Sequence, residues 1–289
     1  DAAGGARRAG GGGPVGAPTH RRWLIGAALA LASAAPARAQ EPARQAEPPT
    51  VAEVLSGQEL IYRGHFGAAQ LYFSRLAQDR VHDPIGPALE ASALIWWGEA
   101  RGDESFQADV IDSLLADAVT RAGDAIQAAT TESARSASYF WLGTALGYRA
   151  RQAEMRGSYW RAAREAKRMR SALEQALALD STCTDCLLGL GVYDYALARA
   201  STIARLIARI IGLGGGNAER ALERLRLASE QGVLTRTEAR WVYANALLRE
   251  SDEDGARREE ARRLVGELAQ QFPENAVFRR FLDPTAVEP

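Results

Sequence analysis

Gly57-Gln58-Glu59-Leu60-Ile61-Tyr62-Arg63-Gly64-His65-Phe66-Gly67-Ala68-Ala69-Gln70-Leu71-Tyr72-Phe73 decides how the rest of this 289-residue chain is read. A small residue (Gly57), an apolar wedge (Leu60), an aromatic (Phe66), a second small residue (Ala69) and a second aromatic (Phe73) are spaced for two antiparallel helices. They are joined by the turn at Gly64. A residue without a side chain at Gly57 lets the second helix press close to the first. Outward from this stretch the chain is rich in Ala, Leu, Arg, Glu and Gln, without the alternation of β-branched residues that marks strands. The spacing predicts helices over 50–62, 66–80, 85–100, 106–128, 134–155, 158–179, 183–211, 217–231, 236–249, 256–271 and 275–282. Thr50-Val51-Ala52-Glu53 and Thr235-Arg236-Thr237-Glu238 each fit a capping box. Asp83-Pro84 places a cap residue before a proline at the first helical position. Helix stops fall at Gly64, Gly102, Gly157, Gly212 to Gly216 and Pro273.

The cadence recurs in stretched form. Tyr139, Leu142 and Gly143 precede Leu173, Ala176 and Asp180; Leu187, Leu190 and Gly191 precede Ala221, Leu225 and Ala228; Trp241 and Ala244 precede Ala261, Val265 and Pro273. The stretch 84–128 reads as a further helix pair with little of the cadence. Over most of residues 50–282 the chain resembles the tetratricopeptide-repeat family, whose helix–turn–helix units recur about every 34 residues. The resemblance implies an all-α fold, a right-handed α-solenoid of about four to five antiparallel helix pairs. Units of this kind bury their second apolar face only against a neighbour. The later units carry extra residues between the small residue of one helix and the contact positions of the next.

Ahead of this domain, Arg21 and Arg22 precede an apolar run from Trp23 to Ala35, then Ala37-Arg38-Ala39. That order is the one of a cleavable secretory signal. The run has 13 residues, short of the roughly 20 needed to cross a bilayer. His20-Arg21-Arg22-Trp23-Leu24-Ile25 resembles a twin-arginine signal, with His20 in place of Ser or Thr. Residues 1–39 are therefore expected to be an extension plus signal peptide, and 40–49, rich in Pro and Glu, a linker. Residues 50–282 are expected to be the repeat domain and 283–289 a tail. Residues 1–18, Gly- and Ala-rich and opening on Asp1, read as a fragment end or a misplaced start. The expected location is the periplasm or the exterior, after cleavage near Ala39.

Composition bounds the partners. Lys and Arg number 35 against 36 Asp and Glu, for a net charge of −1. Five arginines but only Asp1 among the acids lie before Gln40, which leaves the remainder at −5. Nucleic-acid affinity rests on clustered positive charge, so a general polyanion binder is not expected. Catalysis finds little support. His65 lies in an interhelical turn, His82 before a helix-starting proline, and no histidine pair has ligand spacing. The Gly212–Gly216 run lacks the Lys-Ser/Thr of a phosphate loop and reads as a helix stop before the cap residue Asn217. No cofactor or metal is expected. Asp109, Asp112 and Asp117 read as a solvated helix face.

Three features remain as candidate sites. Cys183 and Cys186 would form a small local disulfide or sit free in repeat contacts; a thiol–disulfide redox role would require the strand that precedes such motifs in thioredoxin-like enzymes. In 196–213, Ile203, Leu206, Ile207, Ile210 and Leu213 fall on one helical face with Arg205 and Arg209 beside it. That face is expected to cover its neighbours in the fold, with docking on an anionic membrane surface or a partner as the other reading. Finally, the resemblance implies that the first helix of each pair lines a concave surface. Trp96, Tyr148, Arg149, Arg151, Tyr193, Asp194, Tyr195, Arg240, Tyr243 and Asn245 would edge a groove there for an extended peptide or partner helix, with Asp194 orienting the nearby arginines. The leading expectation is a non-enzymatic envelope scaffold with protein partners. The alternative is a carrier of a small apolar ligand or lipid between the long helices.

Overall fold

The computed structural model describes residues 48–250, apart from 215, and 255–282. The expected signal peptide, nearly all of the linker and the tail lie outside the described residues. Twelve helices run through the described residues: α1 Val51–Tyr62, α2 Phe66–Asp79, α3 Ile85–Arg101, α4 Ala108–Ala128, α5 Glu132–Met155, α6 Tyr159–Leu179, α7 Cys186–Ala198, α8 Thr202–Ile211, α9 Ala218–Gln231, α10 Arg236–Arg249, α11 Ala256–Gln271 and α12 Ala276–Leu282. Five antiparallel pairs stack in order: α1–α2, α3–α4, α5–α6, α7–α9 and α10–α11. They form an α-solenoid.

The pairs are seated on the residues that carry the cadence. A methyl group on Gly57 would lie 2.3 Å from Phe73 Cζ, one on Gly143 2.6 Å from Leu173 Cδ2, and one on Gly191 2.9 Å from Leu225 Cδ2. Phe73, Leu173 and Leu225 are each at most 2% exposed. The same small-against-large contact therefore closes three of the five pairs. In α10–α11 the small side of the contact is Ala244, buried with Ala261 and Val265.

Helix starts follow the sequence in part. Thr50 and Glu53 form the full capping box: Glu53 N–H donates to Thr50 Oγ1 at 3.2 Å and Thr50 N–H to Glu53 Oε2 at 2.8 Å. Asp83 accepts from Ile85 N–H at 2.7 Å, although α3 opens at Ile85 and Pro84 stands just outside it. The box expected at Thr235–Glu238 does not form. Asp185, at the start of α7, accepts instead from the N–H groups of Val233, Leu234 and Thr235 and from Thr235 Oγ1, all within 3.0 Å. A carboxylate from another repeat thus holds the turn that leads into α10 and takes the Thr235 hydroxyl, and α10 itself starts without a side-chain cap.

The expected single helix over 183–211 is two. It breaks after Ala198, and α8 starts afresh from Ser201, whose hydroxyl accepts from Ala204 N–H at 3.3 Å. The glycine run then has two uses: Gly212 ends α8 in a left-handed conformation (φ +75°), and Gly216 passes α7 so closely that a methyl group there would lie 2.2 Å from Asp194 O. Asn217 caps α9 through Arg220 N–H at 2.7 Å. Cys183 and Cys186 are joined as a disulfide across the α6–α7 turn.

Candidate functional site

The first helices of the pairs, α1, α3, α5, α7 and α10, contact one another in sequence, whereas their partners on the other side do not pack together comparably. That asymmetry makes the face of the first helices the concave one. It is not an empty groove. The chain returns over it: after α11, Phe272 and the short α12 pack against α1, α3 and α10. Trp96 meets Tyr62 and Phe278 edge-on, each at 5.7 Å between ring centres. Phe278 continues to Trp241 at 5.5 Å, and Trp241 to Phe281 at 5.4 Å. Phe272 lies 5.9 Å from Tyr62. Such ring pairs contribute about 0.5–1.5 kcal/mol each beyond the area they bury.

Polar contacts fix the same segment. Asn275, fully buried, donates from Nδ2 to Tyr62 O at 2.9 Å and accepts from Val277 N–H at 2.9 Å, so one amide ties the segment to α1 and starts α12. His65 Nε2 pairs with Glu274 Oε2 at 2.7 Å, and the Arg280 guanidinium donates to Ala100 O at the end of α3.

Deeper in the concave face, α3, α5 and α10 meet at Tyr148. Its hydroxyl donates to Glu238 Oε2 at 2.9 Å and lies 3.2 Å from Ser92 Oγ. Burial pushes the Glu238 carboxyl up; the bond from Tyr148 and the charge of Arg151 pull the other way. Burial, followed by the negative charge of Glu238, holds the hydroxyls of Tyr148 and Tyr62 well above the usual tyrosine range. Through these bonds the cluster ties α3, α5 and α10 together.

The residues expected to edge a groove do not converge. Trp96, Tyr193 and Tyr243 are buried in the interhelical core, at 5%, 3% and 6% exposure. The Arg170 guanidinium covers the Tyr193 ring at 5.2 Å, and Tyr243 donates to Glu260 Oε1 at 3.3 Å. Asp194 does not orient arginines of the concave face. It is buried and bound by Arg220 through two 2.7 Å contacts and by Arg224 at 2.6 Å, both from α9. Tyr195 donates to Glu250 Oε1 at 3.0 Å, and Arg149 turns to Glu165 at 3.1 Å. Asn245 donates to Trp241 O of its own helix at 2.8 Å. Arg240 is half-buried and makes no ion pair among the described residues. The physical reason is local pairing: Tyr193, Asp194, Tyr243 and Arg149 are taken up by the partner helix or the adjacent pair. Only at Trp96 and Tyr148 do groups from farther along the array close over the face.

Arg151 alone keeps a rim position, pairing with Glu99 at 2.7 Å with both side chains well exposed. The pair stands at a cleft of about 160 Å³ between the ends of α3 and α5, lined also by Asp103, Gln152 and Arg280. A second cleft, near Arg156 and Asp112, holds about 70 Å³. Drug-sized ligands sit in pockets of about 300–1,000 Å³, so neither has the room the carrier reading needs. Glu238 is legible only as a capping-box residue and not as the partner of Tyr148, whereas Phe278 and Phe281, missed from sequence, carried a signal. Phe278-Arg279-Arg280-Phe281 spaces two rings three apart, on one helical face.

The amphipathic insertion also departs from expectation. Ile207 is buried, but Ile203, Leu206 and Ile210 are exposed at 64%, 59% and 62%. The apolar stripe is wider than the neighbour available to cover it.

No protein-family model matches the sequence, and no curated protein matches it. Among solved structures the chain is similar to a thermophilic TPR protein of Thermus thermophilus. The likeness has 19% identity over 82% of this chain and 97% of that one, with a TM-score of 0.45. The packing stands without that likeness: five stacked pairs, three of them seated on Gly57, Gly143 and Gly191, make the described chain an α-solenoid of helix pairs.

Proposed function

We propose that the protein is a non-enzymatic scaffold of the cell envelope, periplasmic or secreted after cleavage near Ala39, which binds a protein partner through a short amphipathic helix laid on its concave face. The observation that carries this reading is the seat of α12. The face already holds a helix there, with Phe278 between Trp96 and Trp241 and Arg280 reaching the end of α3. Helix-in-groove recognition uses apolar anchors at this spacing. A partner helix would either extend the seat beyond α12 into the Glu99–Arg151 cleft or take the place of α12. The signal-like N-terminus supports the location.

A photoreactive residue placed at Glu99 or Arg151 in cells tests the reading. The expected result is a discrete adduct with one envelope protein, absent when the probe stands at Leu71 on the outer side of α2. Adducts that are equally diffuse from all three positions would overturn it.

A further inference from the structure

We propose that α8, with the first turn of α6, is a peripheral docking surface for a bilayer bearing anionic headgroups. Among the helices, α8 packs substantially on α6 alone. It does so through Ile207 and Ala208, with Ala204 and Ile211 half-buried beside them. Leu206, Ile210 and Ile203 project away from that contact, within an arc of roughly 60° at 100° per residue. All three are more than half exposed. This is a ridge of aliphatic side chains standing clear of the α6 contact, the kind of surface that enters an acyl boundary.

Charge selects the occupant. Arg205 and Arg209 follow one another along the border of the ridge, exposed and without an ion pair among the described residues. From Tyr195 to Ala218 the chain holds three arginines and no acidic residue, although the whole protein is at −1. Lys167 Nζ donates to Ile211 O at 2.8 Å, tying the end of α8 to α6. Seven residues before Lys167, on the same face of α6, Trp160 is 51% exposed, and Tyr159 beside it 42%. Arg161 and Arg164 follow, also exposed and unpaired among the described residues. Aliphatic ridge, unpaired guanidinium groups and a Trp–Tyr edge are what an anionic membrane surface takes up: the acyl boundary, the phosphates and the headgroup level respectively. No described helix is long and apolar enough to cross a membrane, so the contact is peripheral.

The test uses the full chain with Ile203→Cys labelled by an environment-sensitive nitrobenzoxadiazole probe; the native cysteines are joined and do not react without reductant. The expected result is a blue-shifted, stronger emission on equimolar phosphatidylglycerol–phosphatidylcholine vesicles and no change on pure phosphatidylcholine. The same probe at Leu71→Cys, an exposed apolar position on α2, should stay silent on both. Arg205→Glu with Arg209→Glu should weaken the response by at least roughly tenfold, since each basic residue near such a surface contributes about a fivefold preference. Because the probe reports from α8 itself, vesicle binding through the N-terminal apolar run would leave it unchanged. An unshifted probe at 203, an equal shift on both vesicle types, or a shift indifferent to the charge reversals would each overturn the proposal.

Discussion

The α1–α2 pair and the α7–α9 pair with its inserted α8 are built from similar residues and end in different states. In the first, Gly57 receives Phe73, Tyr72 donates to Glu53 O at 2.9 Å, and the capping box closes the start. In the second, Gly191 receives Leu225 in the same way, yet 19 residues separate the end of α7 from the start of α9, and the helix they form leaves three aliphatic side chains in water. The repeat contact is a two-body match that local spacing encodes. The inserted helix has only one neighbour, and its second face stays uncovered. Where a pair is seated on a glycine the sequence is a reliable guide to burial, and where a helix is added outside the pairs it is not.

The largest effect should come from the seat itself. Phe73→Ala is expected to cost about 3–5 kcal/mol, the usual range for emptying a fully buried ring site, whereas Leu206→Ala should change stability by no more than about 0.5 kcal/mol. Urea unfolding of both variants would break the comparison if the two losses were alike.

Next is the long-range contact of Asp185. Asp185→Ala takes the carboxylate from the turn amides of Val233, Leu234 and Thr235, the last two of them part-buried, at about 1–3 kcal/mol. Thr50→Ala, which removes a local cap, should cost about 1 kcal/mol. Equal losses in thermal unfolding would place the two contacts on the same footing.

Within the insertion, Gly216→Ala forces a methyl group against Asp194 O and Ala198 N, at 2.2 and 2.4 Å. Overpacking of this kind costs about 1–3 kcal/mol. Gly214→Ala meets only the Arg170 guanidinium, at 3.4 Å, and should be tolerated. A neutral Gly216→Ala, again by urea unfolding, would mean that the connection to α9 is free to move off α7.

The smallest effect concerns pH. Glu90 is buried on α3, and burial pushes its carboxyl up against the bonds from Gln70 and Ser74. A raised carboxyl favours the folded state when protonated. Its contribution is therefore complete below the unfolded value near 4.5 and declines as pH rises through the folded one. Glu90→Gln should accordingly raise the melting temperature at pH 7 and lose that advantage toward pH 4. An advantage that grew with acidity would reverse the sign.

Much of the fold was legible because its determinants are local. Thr50, Glu53, Gly64 and the Gly57–Phe73 spacing place α1 and α2 within a residue of where they stand. The break at Ser201 was legible in principle, as a cap without a preceding glycine or proline, but the apolar periodicity runs straight through it. Thr235 and Glu238 have the residues of a capping box, and only the approach of Asp185 from another pair diverts Thr235, while Tyr148 takes Glu238. The concave-face residues were the least legible. Whether Trp96 meets water depends on the return of α12 over it, and whether Tyr243 does depends on the seat of α11, neither of which a short window of sequence contains.

Spacing and composition alone settled that the chain after Thr50 is helical, that its helices pair, and which glycines seat the pairs, since each depends on residues close along the chain or on the repetition of one contact. The tertiary structure decided that the concave face is filled by Phe272, Phe278 and α12, that Asp185 holds the turn leading into the next repeat, and that α8 exposes its ridge. Those outcomes turn on which surfaces meet across the array. Apolar area is buried only if a neighbour is in place to bury it, and in α8 the neighbour is missing.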